Sequence, residues 1–198
     1  NSVVIQVADA ASATGTESFT ITVANTNDAP AVSSTAVTSA TEDAAYSYSI
    51  TTSDDDSDSS DSWTITCTTC PSWLSVSHTA GASTATLSGT PLNANVGDNS
   101  VVISVADAAS ATGTQSFTIA VTNANDAPTI TSTAVTAATE DAAYTYTVTA
   151  ADVDSSDTIT LTGTTVPSWA TFTASTGVLA GTPLEADVGA NSVVITAS

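Results

Sequence analysis

The sequence predicts an all-β chain of tandem antiparallel Greek-key β-sandwich domains. Three observations predict it: internal repetition, period-two alternation, and turn residues recurring roughly every 8–12 positions. "NSVVI" begins at Asn1, Asn99 and Asn191, so successive copies start 98 and 92 residues apart. "TEDAAYSYS" from Thr41 returns as "TEDAAYTYT" from Thr139, and "SGTPLNANVG" returns as "AGTPLEADVG". That period is too long for a solenoid coil and suits one small sandwich. Ser and Thr make up about a third of the chain, which favours strands over long helices.

The strands of the middle repeat follow in order. Expected spans are 31–38, 45–52, 62–69, 72–77, 84–89, 99–107 and 115–123. Tyr46, Tyr48 and Ile50 alternate with Ser47 and Ser49, and Tyr144, Tyr146 and Val148 alternate with Thr145 and Thr147. Phe117, Ile119 and Val121 do the same against Ser116, Thr118 and Ala120. "NDAP" at Asn27–Pro30 and Asn125–Pro128 marks the domain joints, because Pro lacks a ladder donor and restricts the residue before it. Residues 1–26 are then the last two strands of a preceding domain. Residues 29–124 form a complete domain, and residues 127–198 a following one without its final strand. Trp73 and Trp169, in "PSW", are expected core anchors, and so is Trp63.

Both ends carry the same strand motif, so the chain reads as a window on a covalently continuous array. Donor-strand exchange between copies would supply a sixth strand that the acceptor already has.

The charge is extreme because the bases are missing. The chain has 20 Asp and Glu, one His, and no Lys or Arg, for a formal charge of −20. That excludes a nucleic-acid partner, which needs cations to displace phosphate counterions. It also excludes a Schiff-base lysine, a Walker lysine and an arginine finger. No apolar run is long enough for membrane insertion within this segment. One His cannot furnish a repeated Ser-His-Asp site, and aromatics at 5 % are few for a sugar-cleaving cleft. The chain is therefore not read as an enzyme.

The carboxylates fall at the two poles of each sandwich; only Glu17 and Asp98 escape. "TED" (Glu42, Asp43) lies at one pole, and Asp54–Asp61 with Asp107 at the other. Carboxylates from two domains converge on each joint, where solvent or a bound cation must relieve their repulsion. Ca2+ fits, since it takes 6–8 hard oxygen ligands.

Cys67 and Cys70 form "CTTC" at a strand end before Pro71. A redox pair would open a helix, and zinc would need more ligands than the single His78 offers. A local disulfide in an oxidising compartment is the expectation. Gly163 and Val166 stand at these positions in the next repeat, so the fold does not depend on the pair.

The pattern resembles the cadherin superfamily, most closely the dystroglycan-type cadherin-like and Ig-like repeats of large bacterial surface proteins. "NANDAP" is similar to the cadherin linker, Glu42 and Glu140 to its Pro-Glu-Asn glutamate, and Asp9 and Asp107 to the aspartate ending its sixth strand. Asp56 and Asp58, or Asp152 and Asp154, resemble its Asp-x-Asp, with Asp54 and Asp56 as the other pairing. "LEAD" at Leu184–Asp187 resembles its Leu-Asp-Arg-Glu. The resemblance implies one calcium set of Glu42, Asn123, Asn125, Asp126, Asp152 and Asp154. It implies a second of Asn25, Asn27, Asp28, Asp56, Asp58 and Asp107. The linker is one residue short and "LNAN" at Leu92–Asn95 has amides for carboxylates, which leaves one or two ions per joint.

Two functions follow. The first is a calcium-stiffened structural repeat of a secreted filament or adhesin stalk, whose partners are neighbouring repeats of the same chain or fibre. The alternative is an adhesin module binding glycans or protein through its top loops. The expected location is extracellular or at the cell surface, with Ser/Thr faces open to glycosylation.

Overall fold

A computed structural model describes residues 1–56 and 62–198. It is all-β apart from two short 3-10 turns, Asn93–Asn95 and Glu185–Asp187. Contacts divide the chain into two units. Unit 1 holds Asn1–Ala40, Ala45–Thr90 and Asp98–Ala120; unit 2 holds Thr41–Ala44, Pro91–Gly97 and Val121–Ser198. Two short segments of the 29–124 repeat, together with its last residues, thus group with unit 2.

In unit 1, β1 (Ser2–Ala8) and β2 (Thr14–Thr20) form an antiparallel hairpin running from Ser2↔Thr20 to Ala8↔Thr14. Its turn is closed by Asp9, whose Oδ1 accepts the N–H groups of Ala11 and Ala13. Among the described residues the hairpin is a two-stranded sheet by itself.

The sandwich follows with β3 (Ala31–Val32), β4 (Ser39–Thr41), β5 (Tyr46–Ser53), β6 (Thr64–Thr69), β7 (Leu74–His78), β8 (Thr84–Gly89), β9 (Gly97–Ala106) and β10 (Thr112–Thr122). One sheet has the order β3-β5-β8-β7 and the other β4-β10-β9-β6. The alternation has its expected effect: Tyr46, Tyr48 and Ile50 point inward while Ser47, Ser49 and Thr51 face solvent. Ile50, Leu87, Ile103, Val105 and Ile119, drawn from both sheets, are fully buried. Burial of such apolar side chains is the main source of stability.

One expected strand forms only in part. Of residues 31–38 only Ala31–Val32 form a strand, β3, which pairs with β5; β4, just beyond the expected span, lies in the other sheet beside β10. The chain bends at Ser33 and Ser34, both of whose N–H groups reach the Thr51 carbonyl. Two phenols hold the crossing segment: Tyr46 Oη donates to the Val37 carbonyl at 2.7 Å and Tyr48 Oη to the Ser34 carbonyl at 3.1 Å. Alternation alone cannot show such a change of sheet, because both halves keep the same period.

The tryptophans also depart from expectation. Trp63, Trp73 and Trp169 are half-buried, not central. Trp73 packs edge-on to Tyr46 with centroids 5.7 Å apart, and Trp169 to Tyr144 at 5.6 Å. Each indole N–H needs an acceptor, and finds Asn99 Oδ1 and Asn191 Oδ1 respectively, both at 3.0 Å, which keeps the rings at the rim.

Unit 2 contains β11 (Thr129–Ile130), β12 (Tyr144–Thr147), β13 (Ala150–Ala151), β14 (Leu161–Thr165), β15 (Ala170–Thr173), β16 (Val178–Gly181) and β17 (Val194–Ala197). They pair as β11-β13, β12-β16-β15 and β14-β17. The register repeats that of unit 1: Tyr144↔Gly181 stands where Tyr46↔Gly89 does. No described helix is long and apolar enough to cross a membrane.

Candidate metal centres

Five acidic residues of unit 2, Glu42, Asp43, Asp126, Asp152 and Asp154, are linked where Thr41–Ala44 and Pro91–Gly97 meet the Val121–Ser198 segment. Glu42 and Asp43 are fixed by backbone bonds: the Glu42 N–H reaches the Thr122 carbonyl and the Asp43 N–H the Pro91 carbonyl, both at 2.9 Å. Asp43 adopts the left-handed conformation, φ 57°, one of the few non-glycine residues to do so. Carboxylate oxygens of Glu42, Asp43 and Asp126 all lie within 4.8 Å of one another. Glu42 is 2 % exposed, and its Oε2 accepts the Ala124 N–H at 3.2 Å.

Beside this trio stands Asp154, 4 % exposed. Its Oδ2 accepts the Asp126 N–H at 2.7 Å, and its Oδ1 accepts Asn123 Nδ2 at 2.8 Å and Asn93 Nδ2 at 3.1 Å. Asp152 lies next in the chain of contacts, its Oδ1 taking the Asp154 N–H at 3.0 Å. Of the expected set, Glu42, Asn123, Asp126, Asp152 and Asp154 are joined in this way. Asn125 instead donates to the carbonyl of Asp126 at 2.7 Å.

The electrostatics follow from these contacts. The Asp126 N–H, and then the Asn123 amide, hold the Asp154 carboxyl below the usual carboxylate range. Asp126 is pushed the other way, first by loss of hydration and then by the charges of Asp43, Asp154 and Asp152. No Lys or Arg exists to offset this repulsion.

Unit 1 carries a second cluster built on the same plan. Asn25 Nδ2 donates to Asp56 Oδ1 at 2.7 Å, and the Asp28 N–H donates to Asp56 Oδ2 at 2.5 Å. The Asp56 N–H reaches Asp54 Oδ1 at 3.2 Å. Asp56 therefore repeats the bonds of Asp154, and Asp54 those of Asp152. The Asp54–Asp56 contact matches that of Asp152 and Asp154; of the expected pair Asp56 and Asp58, Asp58 lies outside the described residues. Asn27 Nδ2 donates to Asp107 Oδ2 at 2.8 Å, and the Ala111 N–H to Asp107 Oδ1, also at 2.8 Å. The Asn27 amide, with the backbone N–H groups of Ala111, Ala109 and Ser110, holds Asp107 below its ordinary range.

Sequence reasoning left Asp43 and Asn93 out of the expected sets, and gave Asp54 as the alternative partner of Asp56. "TED" carried a signal for Asp43, a carboxylate adjacent to the expected ligand Glu42. Asn93 had none beyond its place in "PLNAN". Cys67 and Cys70 are bonded to each other, with Cα atoms 5.6 Å apart, away from either cluster.

Carboxylate and amide oxygens with no soft donor form a hard ligand set, which fits Ca2+ or Mg2+ and does not fit zinc or copper. Glu42, Asp43 and Asp126 supply oxygens close enough to share one ion. Asp152 and Asp154 supply more within the same hydrogen-bonded network.

Residues 29–122 and 127–198 match the family model described as "Putative Ig domain". None of the curated proteins matches the chain. Protocadherin Gamma B2 extracellular cadherin domains 1–5 resemble 99 % of this chain and 44 % of theirs, at 16 % identity and TM-score 0.59. An endo-fucoidan hydrolase, MfFcnA4 H294Q from glycoside hydrolase family 107, aligns with all of this chain at 24 % identity and TM-score 0.46. The chain spans 32 % of that hydrolase's length. The SrpA adhesin of Streptococcus sanguinis aligns over 56 % of this chain and 67 % of its own, at 19 % identity and TM-score 0.42. The protocadherin likeness shows the fold: the repeats are cadherin-like sandwiches.

Proposed function

The chain belongs to the family described as "Putative Ig domain", and we propose that it is a structural repeat of an extracellular filament or adhesin stalk, stiffened by Ca2+ at its linkers. One observation carries this reading. Glu42, Asp43 and Asp126 bring carboxylate oxygens within 4.8 Å of one another in a chain with no Lys or Arg. Like charges so placed repel, and a divalent cation converts that repulsion into attraction. Glu42, Asp43, Asp126, Asp152 and Asp154 would hold one ion, or two sharing carboxylates. The equivalent cluster of Asn25, Asn27, Asp28, Asp54, Asp56 and Asp107 would hold another.

The linker residues Asn25, Asn27, Asp28, Asn123 and Asp126 are members of these clusters. An ion there would fix the path of the chain between domains 29–124 and 127–198. Near-identity of successive repeats supports a spacer, since a ligand-binding domain gains by differing from its neighbours. Cys67–Cys70 adds support for an oxidising location outside the cell.

Titration calorimetry and small-angle scattering test this reading. Ca2+ should bind with at least one ion per linker and sharpen the scattering profile, and chelator should reverse both. Absence of Ca2+ binding at millimolar concentration, with a profile indifferent to chelator, would overturn it.

A further inference from the structure

The ends of β6 and β14 share a backbone path and differ in their side chains. The ladder slips between Cys67 and Thr69 in β6, and between Gly163 and Thr165 in β14. The bulged residue is a threonine in both: Thr68 Oγ1 donates to the Val102 carbonyl and Thr164 Oγ1 to the Val194 carbonyl, each at 3.3 Å. The turn that follows is shared too. The Leu74 N–H reaches the Pro71 carbonyl and the Ala170 N–H the Pro167 carbonyl, each at 3.0 Å. β7 and β15 then pair in one register, Val76↔Leu87 and Phe172↔Leu179. Bulge and turn therefore form with the Cys67–Cys70 bond and without it.

What the bond does is fill space. By alternation Ile65 and Cys67 face inward on β6, and Leu74 and Val76 on β7. The same positions in unit 2 hold Leu161 and Gly163 on β14, and Ala170 and Phe172 on β15. A Cβ added at Gly163 would lie 2.9 Å from Val166 Cγ2 and 3.1 Å from both Cβ and Cδ1 of Phe172. Those distances fall inside the optimum for carbon atoms, roughly 3.5–4.0 Å. The place that the Cys67 side chain takes in unit 1 is thus already taken in unit 2, by the Val166 methyl and the Phe172 ring.

Three positions change together between the repeats. Cys67, Cys70 and Val76 stand where Gly163, Val166 and Phe172 do. One repeat has a sulfur bridge beside a small β7 residue; the other has no bridge and an aromatic ring. A close-packed interior tolerates exchanges that conserve volume and resists those that do not.

We propose that the corner between β6 and β7 has two interchangeable fillings, a disulfide in unit 1 and the Phe172 ring in unit 2, so that unit 1 alone carries a redox-sensitive corner. Cys70 is exposed and Cys67 half-buried, so a dithiol reductant meets Cys70 first. Its thiolate attacks the Cys70 sulfur, the Cys67–Cys70 bond breaks, and Cys67 leaves as a thiolate that takes up a proton. The second thiol of the reductant then attacks the mixed disulfide. The reductant departs as a cyclic disulfide and Cys70 is released as a thiol. Two electrons and two protons have passed from the dithiol to the protein.

Reduction removes the cross-link on the loop and lets the two sulfurs part to non-bonded distance. Val76 offers no ring to hold the end of β6 in its place. β6 is the last strand of its sheet, so it has a ladder partner on one side only, and such strands open first. Unit 2 has no cysteine, and its corner is indifferent to thiols. Cys67, Cys70 and Val76 belong to neither carboxylate cluster, so the outcome does not depend on Ca2+.

The test is hydrogen exchange with mass spectrometry on the full chain, with and without dithiothreitol, which reads β6 and β14 separately. Reduction should speed exchange in β6 roughly tenfold and leave β14 unchanged. Val76→Phe supplies the packing arm, read as a urea midpoint. In the oxidised wild type the corner is full, so Val76→Phe should lower the midpoint. With Cys67→Gly and Cys70→Val in place the corner is empty, and Val76→Phe should raise it. That change of sign is a coupling which independent structural roles would not produce. Complete reduction, verified by counting free thiols, that leaves β6 exchange unchanged overturns the proposal. So does a Val76→Phe effect of the same sign in both backgrounds.

Discussion

The carboxylate of Asp154 accepts the backbone N–H of Asp126, and the carboxylate of Asp56 accepts that of Asp28. Both pairs are 28 positions apart in sequence. The same bond in two repeats ties each Asn-Asp linker to the loop that follows the next long strand. In unit 2 it leaves the Asp126 side chain facing the carboxylates of Glu42 and Asp43.

Asp126 is pushed above its ordinary range first by loss of hydration and then by the charges of Asp43, Asp154 and Asp152. Replacing it with Asn should raise the melting temperature in chelator and reduce the further rise that Ca2+ gives to the wild type. Paired thermal melts check this. A variant less stable than wild type in chelator would contradict the repulsion argument.

The pH dependence follows from the directions of the shifts. Asp154 and Asp107 titrate below their ordinary range, so their stabilising contribution is present above pH ~4 and is lost as pH falls through their folded values. Asp126 titrates above its ordinary range, so the folded chain binds that proton more tightly than the unfolded chain does. Stability in chelator should thus rise slightly on mild acidification and then fall steeply. Denaturation midpoints measured stepwise from pH 7 downward show it; a monotonic fall in wild type and Asp126→Asn alike would speak against it.

Ile103 and Ile195 occupy the same repeat position, the first fully buried and the second half-buried. Ile103→Ala should cost about 2–5 kcal/mol. Ile195→Ala should cost a fraction of that in the 198-residue chain, because its side chain has less buried surface to lose. Urea denaturation compares them, and equal losses would contradict the difference in burial.

Removing the disulfide by Cys67→Ser with Cys70→Ser should cost about 2 kcal/mol, since the loop it closes is short. The next repeat keeps the strand with Gly163 and Val166 in these places. Chemical denaturation of the double variant measures the loss; failure to fold would give the bond a role that the repeat comparison denies it.

Much of the fold was legible because the repeats report twice on the same structure. The span 84–89 matches β8 at both ends, and the alternation through Tyr46, Tyr48 and Ile50 sets which side chains face inward. The shortening of 31–38 to Ala31–Val32, with β4 following at Ser39–Thr41 in the other sheet, was not legible. It depends on Tyr46 and Tyr48 reaching back to carbonyls 9 and 14 residues earlier, and period two carries no information about distant acceptors.

The ligand residues were legible as types, since carboxylates without bases must be solvated or bound to a cation. Which of them meet was decided by the tertiary structure. Asp43 joins Glu42 and Asp126 because a left-handed backbone turns its side chain toward them. Asn93 reaches Asp154 across 61 positions because a 3-10 turn presents it there. The sequence by itself determined the all-β class, the repeat and the charge, which are local or compositional properties. The correspondence between Asp54–Asp56 and Asp152–Asp154 and the half-burial of the tryptophans depend on contacts between distant segments, and only the folded chain decides those.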